Sequence, residues 1–319
     1  MTARNILILG GSGFIGSALV RKLCGQGLKV VVPTRHRERS KHLIVLPTVD
    51  VVEADIDDAA TLSALVSRAD AVINLVGILH GDTGSPYGAR FKAVHVDLPG
   101  RVGAACHAAG VTRLLHMSAL GAAADAPSMY LRSKAAGEAA VRAAAPRAAL
   151  TVFRPSVVFG RDDAFINLFA RLQRILPLVA VGRPGARLAP VHVEDVAQAI
   201  VNAIDNPSTF GRTYDLAGSQ VMTLKEIIQF AGRVSGHPRP VIGLPDSLAY
   251  LQAWAMEWAP FKLLSRDNLA SLRIDSVSTA GFAPELGVSP VVMEAVVPGY
   301  LAGHSPRERY MQFRDHAGR

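Results

Sequence analysis

Cysteine is scarce in this sequence, with Cys24 and Cys106 as the only two examples among 319 residues. Two thiols supply neither a disulfide framework nor a cysteine-based zinc site, so we expect a reducing compartment. No metal site is predicted, because the histidines show no ligand spacing. No apolar run approaches the roughly 20 residues of a membrane span, and no signal peptide is visible. We expect a cytoplasmic protein, either soluble or peripheral at the inner face of the membrane.

Aromatic residues are also few, at 6% of the chain, and no aromatic-studded RNA-binding motif accompanies the basic residues. The formal net charge is +8, which favours anionic partners in general. Part of this excess is local, because one short segment contains Arg35, Arg37, Arg39 and Lys41. Nucleic acid is therefore not expected as a partner.

The first half of the chain alternates strand-like with helix-like segments. Strands are predicted over 6–9, 29–33, 49–53, 71–75, 113–117 and 150–153, and helices over 15–26, 61–67, 91–109 and 130–144. Helices of this length between strands indicate right-handed βαβ crossovers, and hence an α/β fold with a doubly wound parallel sheet. We expect a main domain over 1–160 and a smaller mixed substrate or docking lobe over 161–319, with 190–204 returning to the main sheet.

A glycine-rich loop joins the first predicted strand to the first predicted helix. Gly10 permits a tight turn, Gly13 lets backbone N–H groups approach a pyrophosphate, and Gly16 allows the helix to pack closely on the strand. The phosphates then lie at the positive end of the helix. The loop predicts that residues 1–160 are a Rossmann domain for a nicotinamide dinucleotide, bound by Gly10, Ser12, Gly13, Phe14, Ile15 and Gly16.

The residues after the second predicted strand distinguish the two nicotinamide cofactors. An NAD site typically has an Asp or Glu there for the ribose 2′-hydroxyl, whereas an arginine suits a 2′-phosphate. Arg35 follows this strand, with Arg37 as a second candidate, so NADP(H) is favoured and NAD(H) is the alternative. Asp55 and Ile56, after the third strand, are interpreted as contacts to the adenine. For Asp55 a helix N-cap is an equal alternative.

Tyr130 and Lys134 are four residues apart and therefore share one face of a predicted helix. An ammonium beside a phenol lowers the pKa of the phenol, and it can also bind the ribose hydroxyls of the nicotinamide. The pair predicts proton transfer next to the dinucleotide.

In these motifs, and in residues 74–77, 118 and 154–155, the chain resembles the extended or atypical branch of the short-chain dehydrogenase/reductase superfamily, which includes epimerase/dehydratase-like proteins. Within it, residues 94–96, 110–121, 130–138, 154–160 and 190–197 are similar to the NAD(P)H-binding accessory subunit of respiratory complex I and its bacterial homologues. The resemblance implies that Tyr130 is the acid/base and Lys134 its partner. It also implies that the dinucleotide cleft is lined by Val76, Gly77, Pro155 and Val158.

Two positions depart from the superfamily pattern. Ser118 follows the fifth predicted strand, but Ala119 and Leu120 stand where the catalytic hydroxyl is expected, so the Ser-Tyr-Lys set is incomplete. Neighbouring residues of a strand point to opposite faces, which directs Ser118 away from the substrate. His95 replaces a usual asparagine, and it either donates to a substrate or satisfies a backbone carbonyl.

These features predict an NADP(H)-binding oxidoreductase with reductase or epimerase chemistry on a hydrophobic small molecule such as a quinone, or with an accessory role in respiratory quinone and NADH dehydrogenase metabolism. Two alternatives remain open: an NAD-dependent sugar-nucleotide epimerase or dehydratase, and a non-catalytic docking module that its nucleotide stabilises. A helical stripe of Leu251, Trp254, Trp258 and Phe261 either packs on the second lobe or docks on a respiratory complex or membrane surface. Pro245 and Pro260 limit this helix to about four turns.

Overall fold

The computed structural model describes residues 4–258, 264–278, 281–302 and 314. Its strands are β1 (Asn5–Leu9), β2 (Lys29–Thr34), β3 (Val49–Glu53), β4 (Ala71–Asn74), β5 (Arg113–Met117), β6 (Ala149–Pro155), β7 (Val158–Phe159), β8 (Val179–Gly182), β9 (Arg187–Leu188), β10 (Val191–His192), β11 (Thr213–Leu216), β12 (Met222–Thr223) and β13 (Val241–Leu244).

The α-helices are α1 (Phe14–Gly25), α2 (Lys41–Ile44), α3 (Ala59–Val66), α4 (Ala89–Phe91), α5 (Leu98–Ala109), α6 (Met129–Ala144), α7 (Ile166–Ile175), α8 (Val193–Ile204), α9 (Leu224–Val234), α10 (Asp246–Glu257), α11 (Arg266–Ser271), α12 (Met293–Val296) and α13 (Pro298–Leu301). A π-helical segment, Lys92–Asp97, joins α4 to α5. Short 3₁₀ turns lie at Arg37–Ser40, Pro207–Thr209 and Pro284–Leu286.

Seven strands form one parallel sheet in the order β11-β6-β5-β4-β1-β2-β3. The chain leaves β1 toward β2 and β3 on one side, and it then returns to add β4, β5 and β6 on the other. Where the direction of winding reverses, between β1 and β4, a crevice opens at the carboxyl ends of the strands, and this is where open α/β sheets bind ligands. The predicted doubly wound α/β fold is confirmed.

Helices cover both faces of this sheet, which explains the uninterrupted apolar run of β1. Ile6 and Ile8 pack in one core with α1 and α8, whereas Leu7 and Leu9 pack in a second core with α3, α5 and α6. The strands predicted from periodicity are present. The edge strand β11 was not predicted, because only Tyr214 and Leu216 of its four residues are buried and apolar.

The second lobe has a core of its own, formed mainly by α7, α9 and the strand pair β8–β13. Residues 190–204 supply β10, which pairs with β7 outside the main sheet, and α8, which lies beside α1 over the main sheet. Among the described residues, no helix is long and apolar enough to cross a bilayer, and no three His, Cys, Asp or Glu side chains are grouped so as to hold a metal ion.

Candidate active site

The glycine-rich loop has the geometry of a phosphate cradle at the start of α1. Gly10 has a φ of +79°, and a Cβ there would lie 3.1 Å from the backbone of Leu75 and Val76. A Cβ at Gly16 would overlap the Gly10 carbonyl oxygen, so only glycine lets α1 approach the loop this closely. Gly13 precedes α1 with extended backbone, and neither a side-chain cap nor an acidic residue occupies the first turn. The free N–H groups there suit an anionic pyrophosphate.

The other predicted loop residues lie around this turn. Ser12, Phe14 and Ile15 are all partly buried, and Phe14 and Ile15 form the first turn of α1. The Phe14 ring lies against Gly160, where a Cβ would come within 3.1 Å of its Cζ. Their contacts with the dinucleotide stay predictions.

Arg35 lies directly after the end of β2, at the same edge of the sheet as the glycine loop. Its side chain is exposed and forms no hydrogen bond or ion pair with the part of the chain that the structure describes. Arg37 opens the following 3₁₀ turn and is also exposed. The nearest acidic residue along the chain, Glu38, pairs with Lys41 at 2.8 Å. Arg35 and Arg37 therefore make the β2 side of this edge cationic, while β3 ends beside it at the exposed Glu53.

Asp55 and Ile56 lie beyond the carboxyl end of β3. The Asp55 carboxylate accepts a hydrogen bond from the Asp57 N–H at 3.0 Å, which closes a local turn. The N-cap of α3 is Asp58, which accepts from the Thr61 N–H at 2.8 Å. The helix-cap alternative for Asp55 is therefore wrong. Ile56 is partly buried against the core that contains α3.

Tyr130 and Lys134 lie one turn apart near the start of α6. The Lys134 side chain is 4% exposed, and its Nζ donates to the Met117 carbonyl at 3.1 Å, which ties α6 to the end of β5. This Nζ is 5.9 Å from the centroid of the Tyr130 ring. Burial lowers the pKa of Lys134 to about 8, although the charge of Glu138 acts in the opposite direction.

The pKa of Tyr130 is raised to about 12, because burial disfavours the phenolate. The expectation that Lys134 lowers this pKa is therefore wrong for this arrangement. The ammonium lies at ring distance and donates to a backbone carbonyl, so its charge does not offset the burial of the phenol. At neutral pH the Tyr130 phenol is therefore protonated.

His95 lies in the π-helical segment, and both of its ring nitrogens are in use. Nε2 accepts from the Ile78 N–H at 3.0 Å, and Nδ1 lies 2.8 Å from the Ser133 hydroxyl, which donates to the Tyr130 carbonyl at 2.7 Å. Burial, followed by the charge of Lys134, lowers the pKa of His95 to about 2. The structural alternative for His95 therefore agrees with its contacts, but its partner is a backbone N–H and not a carbonyl.

Ser118 extends the β5 ladder by one hydrogen bond, from its N–H to the Phe153 carbonyl at 2.7 Å. Its side chain is buried, and its hydroxyl has no hydrogen-bond partner among the described residues. Leu114, four positions before Ser118, packs in the core with α5 and α6. Because alternate residues of a strand point to the same face, Ser118 also points toward these helices. The Leu120 N–H donates to the Pro155 carbonyl at 2.9 Å, and its apolar side chain offers no hydroxyl.

The remaining predicted cofactor residues lie at the carboxyl ends of the central strands. The Val76 N–H donates to Asn74 Oδ1 at 3.1 Å, and a Cβ at Gly77 would lie 3.1 Å from Lys134 Nζ. Gly77 thus leaves open the space above the ammonium. Pro155 ends β6 and Val158 lies in β7, both partly buried.

A cleft of about 670 Å³ lies between this site and the second lobe. The loop 80–84, the start of α6 and the helices α10 and α11 enclose it. Met129, next to Tyr130 in the chain, contributes an apolar wall, and Tyr250, Trp254 and Trp258 contribute an aromatic one. The cleft therefore adjoins the start of α6, although Tyr130 itself is not among its lining residues.

The tryptophan stripe of α10 is largely exposed, although Trp254 and Trp258 also line the cleft. Leu251, Trp254 and Trp258 are 56%, 45% and 79% exposed. The small residues Ala249 and Ala253 are the buried side of the helix, and a Cβ at Gly182 of β8 would lie 2.6 Å from the Ala249 Cβ. The packed-stripe alternative is wrong, because α10 lies on the lobe through its alanines. The helix has 12 residues and ends before Trp258, while Pro260 and Phe261 lie outside the described residues.

Comparison with known proteins assigns the family. The model of the NAD dependent epimerase/dehydratase family matches residues 6–217. The chain belongs to this family. The resemblance stated from the motifs is thereby confirmed, and a nicotinamide dinucleotide is the cofactor class of the site.

Two groups of relatives and one solved structure are informative. NADH dehydrogenase (ubiquinone) 1 alpha subcomplex subunit 9, mitochondrial, is 31% identical in Mus musculus over 90% of this chain and 77% of that protein. The Dictyostelium discoideum protein of this name is 31% identical over 69% of this chain, and the match spans only 61% of its length. Ceramide reductase of Caulobacter vibrioides is 30% identical over 78% of each chain. UDP-glucose 4-epimerase of Thermotoga maritima superposes with a TM-score of 0.72 at 19% identity, over 93% of this chain and 97% of that one.

Two features of the site have no signal in the sequence. The carboxylate of Asp267, from α11, accepts hydrogen bonds from the N–H groups of Met129 and Tyr130. His116 of β5 is buried below Lys134, and this burial lowers its pKa to about 3. Asp267 belongs to no motif, and His116 lies within the matching stretch 110–121 without any signal of its burial; both join the site through contacts between segments distant in the chain.

Proposed function

We propose that the protein is an NADP(H)-dependent oxidoreductase that reduces a carbonyl group of a hydrophobic substrate bound in the cleft. One observation carries this proposal: Tyr130 and Lys134 lie together at the carboxyl edge of the sheet, beside an aromatic-walled cleft and close to the glycine loop. The geometry suits a dinucleotide on the loop side and a substrate on the Trp254 side.

The bound dinucleotide supplies the hydride for such a reduction. Tyr130 donates the proton to the carbonyl oxygen, which becomes a hydroxyl, and the phenol recovers its proton from solvent. Its raised pKa keeps it protonated at neutral pH. Lys134, held by the Met117 carbonyl below Gly77, places its positive charge where ribose hydroxyls are bound.

Leu120 in place of a hydroxyl leaves Tyr130 as the single polar donor that the family pattern provides for the substrate oxygen. A second donor to a developing oxyanion typically contributes about 10²–10³ in rate. We therefore expect slow turnover, or a substrate whose carbonyl is intrinsically easy to reduce. A quinone carbonyl fits this requirement.

Arg35 supports the preference for NADP(H). An exposed guanidinium follows β2 directly, and neither the last residues of β2 nor the two residues after it are acidic; the neighbouring strand β3 ends at Glu53, opposite Thr34. An arginine pairs with a 2′-phosphate through charged hydrogen bonds, whereas an NAD site needs a carboxylate acceptor for the ribose. The exposed Arg37 is the second candidate.

The wall of the cleft supports a hydrophobic substrate. Trp254, Trp258, Tyr250 and Met129 offer apolar surface of the kind that binds the body of a lipid-like molecule. The name of the Caulobacter relative, ceramide reductase, is consistent with this substrate class.

The test is to identify the nucleotide that copurifies and then to follow oxidation of NADPH by short-chain quinones and by long-chain ketones. We expect turnover that falls at least 100-fold in Tyr130→Phe, because the proton donor is removed while the ring remains. Tyr87→Phe, at a partly buried tyrosine that does not line the cleft, is the matched control. Tight binding of NADPH without oxidation by either class, or unchanged turnover in Tyr130→Phe, contradicts the proposal.

The largely exposed aromatic stripe favours a second candidate, a docking module that its dinucleotide stabilises. Leu251, Trp254 and Trp258 form an exposed face unlike an ordinary surface. The relatives named as subunits of NADH dehydrogenase make a respiratory complex the occupant to test. In this case Trp254→Ser with Trp258→Ser abolishes comigration with that complex on native gels, while Tyr130→Phe comigrates normally. Comigration of the double variant contradicts this function.

A further inference from the structure

Asp267 binds the backbone of the candidate acid itself. Its carboxylate accepts from the Met129 N–H at 2.6 Å and from the Tyr130 N–H at 3.0 Å. The next N–H of α6, that of Leu131, is bound by the Ser128 hydroxyl at 3.2 Å. The first turn of a helix has no internal partners for its N–H groups. In α6, two of these groups are therefore bound from another lobe of the molecule.

The helix that carries Asp267 is itself held firmly. Ser265 and Asn268 form a reciprocal capping box at the start of α11. Arg266 binds both carboxylate oxygens of Glu257, at 3.2 Å or less, and its Nη1 donates to the Tyr250 hydroxyl at 3.0 Å. Glu257 and Tyr250 belong to α10, so these contacts hold α11, and with it Asp267, against α10.

The rest of α6 is held by the Rossmann domain. Lys134 reaches the Met117 carbonyl, and Gly137 packs so closely that a Cβ there would overlap the His95 carbonyl oxygen. The middle of α6 thus has its own anchors. The N–H groups of its first turn are bound by Ser128 and by the second lobe, whereas the Tyr130 ring packs edge-on to His95, with 5.6 Å between the ring centroids.

We propose that Asp267 is a positioning residue, which fixes the first turn of α6 and thereby sets the place of the Tyr130 phenol between dinucleotide and substrate. The catalytic meaning of this placement rests on the proposed function, but the placement itself does not. Because Asp267 also lines the cleft, the same carboxylate joins the substrate wall to the candidate acid.

The experiment uses ¹⁹F NMR of the full chain with 3-fluorotyrosine at its six tyrosines, at neutral pH. The resonance of residue 130 is the one missing from Tyr130→Phe. We expect it to shift by more than its linewidth in Asp267→Ala, and by less in Asp267→Asn, which keeps one acceptor oxygen. The dissociation constant of NADPH should rise in the same order, by roughly three- to tenfold in Asp267→Ala.

The matched control is Asp275→Ala, which removes another second-lobe acceptor of a backbone N–H, that of Arg187 at 3.1 Å. It should leave the resonance of residue 130 in place. Equal resonances in Asp267→Ala and Asp275→Ala overturn the proposal. If Asp267→Ala does not fold, a resonance of Asp267→Asn that coincides with that of Asp275→Asn overturns it instead. Wild-type protein that turns over no substrate refutes the proposed function alone, because the resonances are compared without substrate.

Discussion

Acidification from pH 7.5 to 5.5 should destabilise the protein through two buried histidines, His95 and His116. Each accepts a hydrogen bond on one ring nitrogen, from the Ile78 N–H at 3.0 Å and from the Asn74 amide at 3.4 Å. Protonation would turn each of these acceptors into a donor facing another donor. Both rings also lie near the Lys134 charge, and burial is the largest cause of their lowered pKa values.

The direction of the change in stability follows from the histidine pKa values in the folded and unfolded states. In the folded protein the pKa values of His95 and His116 are about 2 and about 3, whereas in the unfolded chain both are near 6.5. Below pH 6.5 the unfolded chain therefore binds two protons that the folded chain excludes, and stability falls as the pH falls. Between pH 7.5 and 5.5 each histidine removes about 1.4 kcal/mol from the free energy of unfolding, or about 2.7 kcal/mol together.

The assay is urea denaturation followed by circular dichroism at pH 7.5, 6.5 and 5.5 and constant ionic strength. His116→Gln keeps a polar side chain that does not titrate, and it should lose about 1.4 kcal/mol less than wild type over the same interval. His192, whose pKa is also lowered by burial, contributes equally to both proteins and cancels in their difference. Wild-type stability that is constant over the interval, or a pH dependence unchanged in His116→Gln, would refute the reasoning.

Two further substitutions test the cofactor edge and the packing of α6. Arg35→Asp should weaken the binding of NADPH about tenfold or more relative to that of NADH, because a carboxylate repels the 2′-phosphate. The control Arg39→Asp makes the same change of charge farther along the chain. Equal losses of NADPH affinity in both variants would contradict a specific contact of Arg35. Gly137→Ala should lower the free energy of unfolding by about 1–3 kcal/mol, because its Cβ meets the His95 carbonyl. In the control Gly100→Ala the new Cβ meets only Ala140, at 3.8 Å, and it should not destabilise the protein. Equal melting temperatures of these two variants would contradict this prediction and show that α6 shifts to accommodate the added Cβ without loss of stability.

Much of the fold could be predicted because its signals are local. Most strands of the central sheet before residue 155 contain a short apolar run, as a parallel sheet covered on both faces requires, although the edge strand β3 reads VDVVE. The glycine loop is equally local in its sequence signal, and Gly16 meets backbone only five and six residues away, at Gly11 and Gly10. The edge strand β11 was not predicted, because two buried apolar residues are too few to give a recognisable hydrophobic pattern.

The protonation states could not be predicted in this way. The spacing of Tyr130 and Lys134 correctly indicated a shared helix face, but the pKa of the phenol depends on burial by other segments. For Trp254 and Trp258, helical spacing identified a stripe without showing which side of α10 meets the lobe. The alanines decided this, because Gly182 admits a close approach only by a small side chain.

The sequence by itself determined the doubly wound sheet, the family, the phosphate loop and the pairing of Tyr130 with Lys134, because each depends on residues a few positions apart. Only the tertiary structure decided that the tryptophans are largely exposed, that His95 and His116 are buried neutral, and that Asp267 binds the backbone of Tyr130. These properties arise from contacts between residues 17 to 138 positions apart or from burial. No periodicity encodes them, because solvent exclusion and hydrogen-bond partners are set only when segments distant in the chain pack together.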